Sequence, residues 1–453
     1  MATRESGRAQ GGELEEKTDL SAETDAKLLQ CAQLLQANQL NEALQLLTAL
    51  EKRCRVGNDN ASLVRVCEAA LKACYEADDT ATLLSTLKTF ATRRSQKTAA
   101  IKALVQTALP WCVQEPYTPL PVTGTDAATK RDQLVEALRE LTDGKIFLER
   151  ERAQLTRVAA TLREEAGDIH GASQLLQQVH VETYGSLSKR EKVEFILEQM
   201  RITLAAHDYV RAAIVAGKVS RKFLAEESMY DYKVRFFSLL TISHRHEKDA
   251  LALAKDYHAI YSTPSTLQDE TQWMAALQAT VLFLALSPYN NEQQDMMHRI
   301  AQDANLEKLP AYQATVQLFL KREIIHYPTP HQSELESSPA LTEGDLGTHW
   351  NEVFFRRIIQ HNIRVASLYY KRIHGSRLAQ LLQLNLTTLE QEIAGMVSEG
   401  SLYAKMDRPA DIIRFCPPSN PEAILSQWAG DIEELLHFVE TTTHLIHKEY
   451  MTT

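Results

Sequence analysis

The chain of 453 residues is too long for one compact core and long enough for two domains, or for a repeat array that ends in a separate module. With 16 Gly and 14 Pro it is short of the turn residues that strand-rich folds need, and Leu, Ala, Gln and Glu dominate most stretches, which points to helix. A formal net charge of −10 argues against a protein built to wrap nucleic acid, whose affinity comes from neutralising phosphates.

Residues 1–24 read as a disordered tail, polar and without the apolar run of a secretory leader. From Lys27 the pattern becomes helical: Leu28, Ala32 and Leu35 fall at i, i+4 and i+7, and Leu40, Ala43, Leu44 and Leu47 resume after a break at Ala37-Asn38. Helix, short polar turn, helix then recurs over residues 155–179, 195–219 and 236–257. The predicted turns lie at 165–168, 206–208 and 246–248. A small residue in the second helix falls at Ala172, Ala212 and Ala250, spaced 40 and 38 apart, and Ala43 and Leu83 are also 40 apart. Such a period predicts an α-solenoid of helical hairpins over residues 25–324, with the small residue at the crossing of the two helices.

Two stretches interrupt the helical pattern. Residues 110–124 carry Pro110, Pro116, Pro119 and Pro121 and read as a loop between solenoid segments. Residues 325–347, with Pro328, Pro330, Pro339, Gly344 and Gly347, read as a flexible surface insertion. The longest apolar run, residues 275–286, contains Gln278 and is far too short to cross a membrane, so the expectation is a soluble intracellular protein.

Residues 348–418 have the pattern of a winged helix. An amphipathic helix over 350–372 is followed by a short helix over 377–384. Thr387 to Glu390 then reads as a capping box that opens a second helix, stopped by Gly400. Short strand-like runs at 402–406 and 412–415 flank a turn at 407–411. A duplex-reading helix carries Arg, Lys, Asn or Gln to base edges. Here the second helix has Glu390, Glu392 and Glu399 and no Lys or Arg, which argues against that use.

After Pro417-Pro418, residues 419–453 form a last helix. Leu425, Trp428, Ile432, Leu435, Val439, Thr442 and Ile446 alternate three and four apart, a heptad seam, and Ile424, Leu436, Phe438 and Leu445 widen it. So broad a stripe suits a multi-helix bundle, and Leu425, Trp428, Ile432, Leu435, Val439 and Ile446 are the candidate partner-binding residues.

Catalytic chemistry finds little support. The six cysteines, Cys31, Cys54, Cys67, Cys74, Cys112 and Cys416, form no CxxC pair and read as thiols in a reducing compartment. No phosphate loop, zinc helix or nucleophile elbow is present. His244 and His246 with Asp256 suggest a metal site, but residues two apart on a helix point to nearly opposite sides, and the group reads as a solvated corner. His437, His444 and His447 read as the polar face of the last helix. No catalytic residue, metal or cofactor is expected.

Several words in the C-terminal third carry a family resemblance. They are Gln360-His361-Asn362-Ile363-Arg364, Tyr369-Tyr370-Lys371-Arg372-Ile373, RLAQLLQL over 377–384, Ala404-Lys405-Met406-Asp407-Arg408, and Thr442-Thr443-His444-Leu445-Ile446-His447-Lys448-Glu449. Together they resemble the PCI-domain lid subunits of the proteasome regulatory particle, specifically over about 350–450 and in architecture over 27–320. The resemblance implies an all-α fold: a right-handed α-solenoid, a PCI winged-helix module and a long C-terminal helix. It also implies a non-catalytic scaffold of the lid in ubiquitin-dependent protein degradation, resident in cytoplasm and nucleus. The implied partners are other PCI-domain lid subunits, the lid's metalloprotease deubiquitinase and the ATPase ring, in a hetero-oligomer without nucleic acid or membrane. A PCI scaffold of the signalosome is the alternative, since His361-Asn362 and Leu368-Tyr369 fit it too; the terminal stretch favours the proteasome.

Overall fold

The computed structural model describes residues 20–37, 39–114, 117–121, 124–342, 347–416 and 420–452. Helix dominates, and strands among the described residues are limited to runs of two or three. The chain divides into two compact units, residues up to 246 and residues from 247. The expected all-α repeat array, winged-helix module and long last helix are all present.

In the first unit, the helices from Ser21–Gln36 to Tyr209–Gly217 pack on near neighbours in the chain, with Asn60–Glu76 also on Thr98–Ala108 and Thr80–Thr92 on Thr125–Thr142. The helix Glu149–Glu165 serves two apolar cores, with Leu155, Val158 and Ala159 in one and Ala153 and Ala160 in the other. The repeat is built on one kind of turn. A residue in the left-handed region closes one helix, and the Asp that follows it caps the next. The pairs are Asn58-Asp59, Asp78-Asp79, Gly167-Asp168, His207-Asp208 and, opening the second unit, Lys248-Asp249. Asp168 shows both halves of the device. Its N–H reaches back to the Arg163 carbonyl at 2.9 Å, and its carboxylate accepts from the Gly171 N–H at 2.9 Å.

The residue four beyond each cap turns inward. Leu63, Leu83, Ala172, Ala212 and Leu253 are all buried. The small-residue register therefore holds at Ala172 and Ala212 but shifts in the third hairpin, where Leu253 and not Ala250 is equivalent. That hairpin is not a unit: the division of the chain falls between Tyr230–Glu247 and Ala250–Tyr261, and the latter packs on Glu270–Leu286. Apolar all round, the helix Glu270–Leu286 forms the centre of the second unit, which explains the long apolar run.

Successive repeats are also cross-linked by charge at a constant interval. Arg157 pairs with Glu194, Glu164 with Arg201 and Glu198 with Arg235, each 37 residues apart. Burial raises the Glu198 carboxyl, but the Arg201 hydrogen bond, with Arg157 and Arg235 nearby, more than offsets this and holds it below the usual carboxylate range.

Several boundaries differ from the sequence reading. Helix begins at Ser21, and Thr24 is buried, so the described part of residues 1–24 is not a tail; residues 1–19 lie outside the described residues. In the Pro-rich stretch, Val113–Gln114 pairs antiparallel with Thr118–Pro119, and this ribbon lies on Glu149–Glu165, where Arg157 covers the Tyr117 ring at 4.6 Å. Pro116, like Asn38 in the earlier break, lies outside the described residues.

The stretch 325–347 is not a structureless insertion. It carries the short helices Gln332–Glu336 and Pro339–Thr342, and buries Ile325, Leu335 and Leu341 in the core of the second unit. Prolines ended the helical pattern there without preventing packing. Gly344 and the rest of residues 343–346 lie outside the described residues, as do Pro417-Pro418.

Replacing the Asp208 cap by alanine should lower stability by about 1 kcal/mol, read as a shift of the chemical-unfolding midpoint. Asp208→Asn should stay close to the parent, because an amide oxygen can still accept from the Arg211 N–H.

Candidate assembly interface

The winged-helix module is built onto one long helix, Gly347–Tyr369. Its first half buries Trp350, Phe354 and Ile358 in the core of the helical array, and its second half buries Ile359, Ile363 and Ala366 in the core of the module. One rigid element therefore belongs to two cores.

Each residue of the word Gln360 to Arg364 reaches a different neighbour. Gln360 donates to Glu392 at 3.3 Å, and the His361 ring contacts the Glu323 carbonyl at 3.2 Å. The Asn362 amide clamps Ile325: it accepts from the N–H and donates to the carbonyl, both at 2.8 Å. Ile363 is fully buried. The Arg364 guanidinium lies 3.5 Å above the Tyr289 ring. One turn further on, the Tyr369 hydroxyl donates to the Arg322 carbonyl at 3.2 Å. The segment 322–325 is thus strapped along the helix, which accounts for its order despite the nearby prolines.

The module contains a strand the sequence reading missed. Arg372–His374 lies beside Ile412–Arg414, which is central and also pairs with Lys405–Asp407. The first helix ends at Tyr369, short of the expected 372. The next helix, Gly375–Leu382, is capped from a distance: the Asp411 carboxylate accepts from the Ser376 N–H at 3.1 Å. That bond, with the Ser376 hydroxyl first, holds the Asp411 carboxyl below its ordinary range.

The expected capping box at Thr387–Glu390 does not form. The second helix, Leu386–Ser398, starts after Asn385, and the Thr388 hydroxyl donates to the Asn385 carbonyl at 2.8 Å. Glu390 turns instead to Arg408 at 3.0 Å, and Glu392 to Arg356 at 3.1 Å. The acidic side chains of this helix are engaged within the module.

The last helix, Pro421–Thr452, has no buried residue along its described length. Leu425, Trp428, Ile432, Leu435, Val439 and Ile446 are 42% to 62% exposed, and Ile424, Leu436, Phe438 and Leu445 are similarly open. At about 1.5 Å per residue the helix is about 48 Å long. The structure thus brings the six candidate residues onto one continuous apolar stripe.

The other candidate groups have ordinary surroundings. His244 and His246 lie within the helix Tyr230–Glu247 and not in a corner; His246 stacks on Tyr209 with ring centroids 3.7 Å apart. Asp256 is buried. Among the described residues no three His, Cys, Asp or Glu side chains are grouped so as to hold a metal ion. Burial pushes the Cys54 thiol up to about 11 and those of Cys67 and Cys112 up to about 12, so these thiols stay protonated. No helix is long and apolar enough to cross a membrane among the described residues.

Three family profiles match in chain order: PSMD12/CSN4, N-terminal, over residues 42–269; PCI domain over 329–416; and the 26S proteasome regulatory subunit RPN5 C-terminal domain over 422–453. The 26S proteasome non-ATPase regulatory subunit 12 of Dictyostelium discoideum is 36% identical over 405 residues, 88% of each chain. The chain belongs to the 26S proteasome regulatory subunit 12/RPN5 family. The family's RPN5 member from Saccharomyces cerevisiae is 37% identical over 326 residues, 70% of this chain and 72% of its own. COP9 signalosome complex subunit 4 of Drosophila melanogaster is more distant, 23% identical over 256 residues, 55% of this chain and 59% of its own. Within the 12/RPN5 family frame, the PCI match covers the module and the RPN5 C-terminal match covers the exposed helix. The word that marked the family, Gln360 to Arg364, is legible as five contacts that fasten the module.

Two predictions test that fastening. Asn362→Ala would orphan the buried N–H and C=O of Ile325, and at about 1–3 kcal/mol for each unsatisfied group it should lower stability by a few kcal/mol in chemical unfolding. Burial, with Arg364 nearby, pushes the His361 imidazole below its ordinary value of 6.5. The neutral ring is the form the fold prefers, so its contribution is complete above that value and is lost as pH falls below it. Unfolding measured across that range should show the loss, and His361→Gln should remove this component.

Proposed function

We propose that the chain is a non-catalytic scaffold of the proteasome regulatory-particle lid, acting in ubiquitin-dependent protein degradation in cytoplasm and nucleus. Its partners on this reading are other PCI-domain lid subunits, the lid's metalloprotease deubiquitinase and the ATPase ring. The winged-helix module supplies contacts between PCI domains, and the last helix joins a bundle of partner helices. The observation that carries the reading is the exposed apolar stripe of Pro421–Thr452. Burying each large side chain of the stripe would contribute about 1.5–3 kcal/mol, enough in sum to hold a subunit in a complex.

A signalosome scaffold is the second reading, since the N-terminal profile covers both families. The C-terminal profile favours the proteasome, because it matches residues 422–453, where the stripe lies.

The test is a native pull-down of tagged full-length chain, of a truncation before Pro421, and of Trp428→Glu with Leu435→Glu. Full-length chain should bring down lid subunits, and both variants should lose them while the double variant melts like the parent. Recovery of signalosome subunits would move the scaffold to the second reading. An unfolded double variant would mean that the helix packs on its own domain.

A further inference from the structure

A second surface, in the first unit, has the chemistry of a binding groove. On the helix Leu40–Val56, the residues Asn41, Gln45, Thr48, Lys52 and Arg55 follow helical spacing and form one stripe. They line an open groove of about 820 Å³ that ends at Arg93 and Arg94, where the helix Thr80–Thr92 stops. Specific ligand sites fall in the range of roughly 300–1,000 Å³.

The cationic end of this groove is built from the inside. The Glu51 carboxylate is fully buried; it accepts from the Arg55 Nε at 3.2 Å and from the Arg93 guanidinium. Arg93 also lies over the Phe90 ring at 4.9 Å, and Arg55 donates to the Arg94 carbonyl at 2.7 Å. Two guanidiniums are therefore held in place before any ligand arrives, which lowers the ordering cost of binding. Lys52 and Arg94 are exposed and have no carboxylate partner among the described residues. Of these four cations only Arg55 and Arg93 have a carboxylate, and they share one, on a chain whose net charge is −10.

We propose that this groove binds an acidic segment of a partner protein. Carboxylates suit the free edges of guanidinium groups, with which they form paired charge-assisted hydrogen bonds. The amide and hydroxyl side chains further along the stripe can bond an extended backbone. No aromatic ring lines the groove, so it lacks the stacking surface on which single-stranded nucleic acids depend. The stripe is about 21 Å long at 1.5 Å per residue, room for about six extended residues. The inference does not depend on the last helix or on the lid assignment.

The experiment is fluorescence anisotropy of the full-length chain with a labelled peptide of about six alternating Glu and Ser residues, beside its Lys-for-Glu counterpart and a single-stranded oligonucleotide of equal charge. The acidic peptide should bind more tightly than the oligonucleotide, weaken with added salt, and lose affinity by about tenfold or more in Lys52→Glu with Arg94→Glu. Both positions are exposed and outside the buried carboxylate; if the reversal impairs folding, Lys52→Gln with Arg94→Gln takes its place. Absence of acidic-peptide binding, unchanged affinity in the folded variant, or equal or tighter binding of the oligonucleotide would overturn the proposal.

Discussion

The second unit depends on one helix being shared. Gly347–Tyr369 gives Trp350, Phe354 and Ile358 to one apolar core and Ile359, Ile363 and Ala366 to the next. A helix rises only about 1.5 Å per residue and does not bend cheaply, so the two cores take their mutual placement from it. The polar contacts follow from the same geometry. Asn362 is fixed by its buried neighbour Ile363, and only a fixed amide can satisfy both backbone groups of Ile325. Removing that amide would free a strap as well as break two hydrogen bonds.

The first unit rests on a local rule used repeatedly. A left-handed residue followed by Asp stops one helix and starts the next within two residues. Only one of the five left-handed positions is Gly. Asn58, Asp78, His207 and Lys248 accept a conformation that costs a non-glycine residue about 1–2 kcal/mol, offset by the helix-end hydrogen bonds and the buried side chain four residues on. The constant interval of the Arg–Glu pairs is a consequence of that spacing.

Much of this was legible in sequence, and the exceptions share a cause. Hairpins at 155–179 and 195–219 are visible because both the apolar period and the Ala position are local properties. The third failed because Ala250 lies next to its cap, where local spacing cannot say which residue faces inward. The packing of Ile325, Leu335 and Leu341 is not legible because proline content reports where helices end and not whether the chain between them packs. The strand Arg372–His374 has no alternating pattern, being only three residues long, and exists because Ile412–Arg414 is beside it. The Thr387 capping box does not form because the helix already starts after Asn385, and Glu390 pairs with Arg408 instead. The apolar stripe of the last helix was fully readable, because heptad spacing over seven positions has no other simple source.

That stripe also bears on the stability of the chain by itself. A helix of this length satisfies most of its backbone hydrogen bonds internally, but its composition does little to reinforce it. Gly430 and the run Thr441-Thr442-Thr443 are poor helix formers, and no buried neighbour compensates for them. The charges do not help either. Within the helix Glu422, Asp431, Glu433, Glu434, Glu440 and Glu449 face a single cation, Lys448. Glu422 in the first turn suits the helix dipole and Glu449 near the end opposes it, so on the proposed reading a neighbour of opposite charge would stabilise the segment. Binding to such a neighbour raises stability by mass action, in proportion to the logarithm of partner concentration over Kd. On the proposed scaffold reading, docking of this segment would therefore also reinforce its helix. The described residues before it pack into four apolar cores.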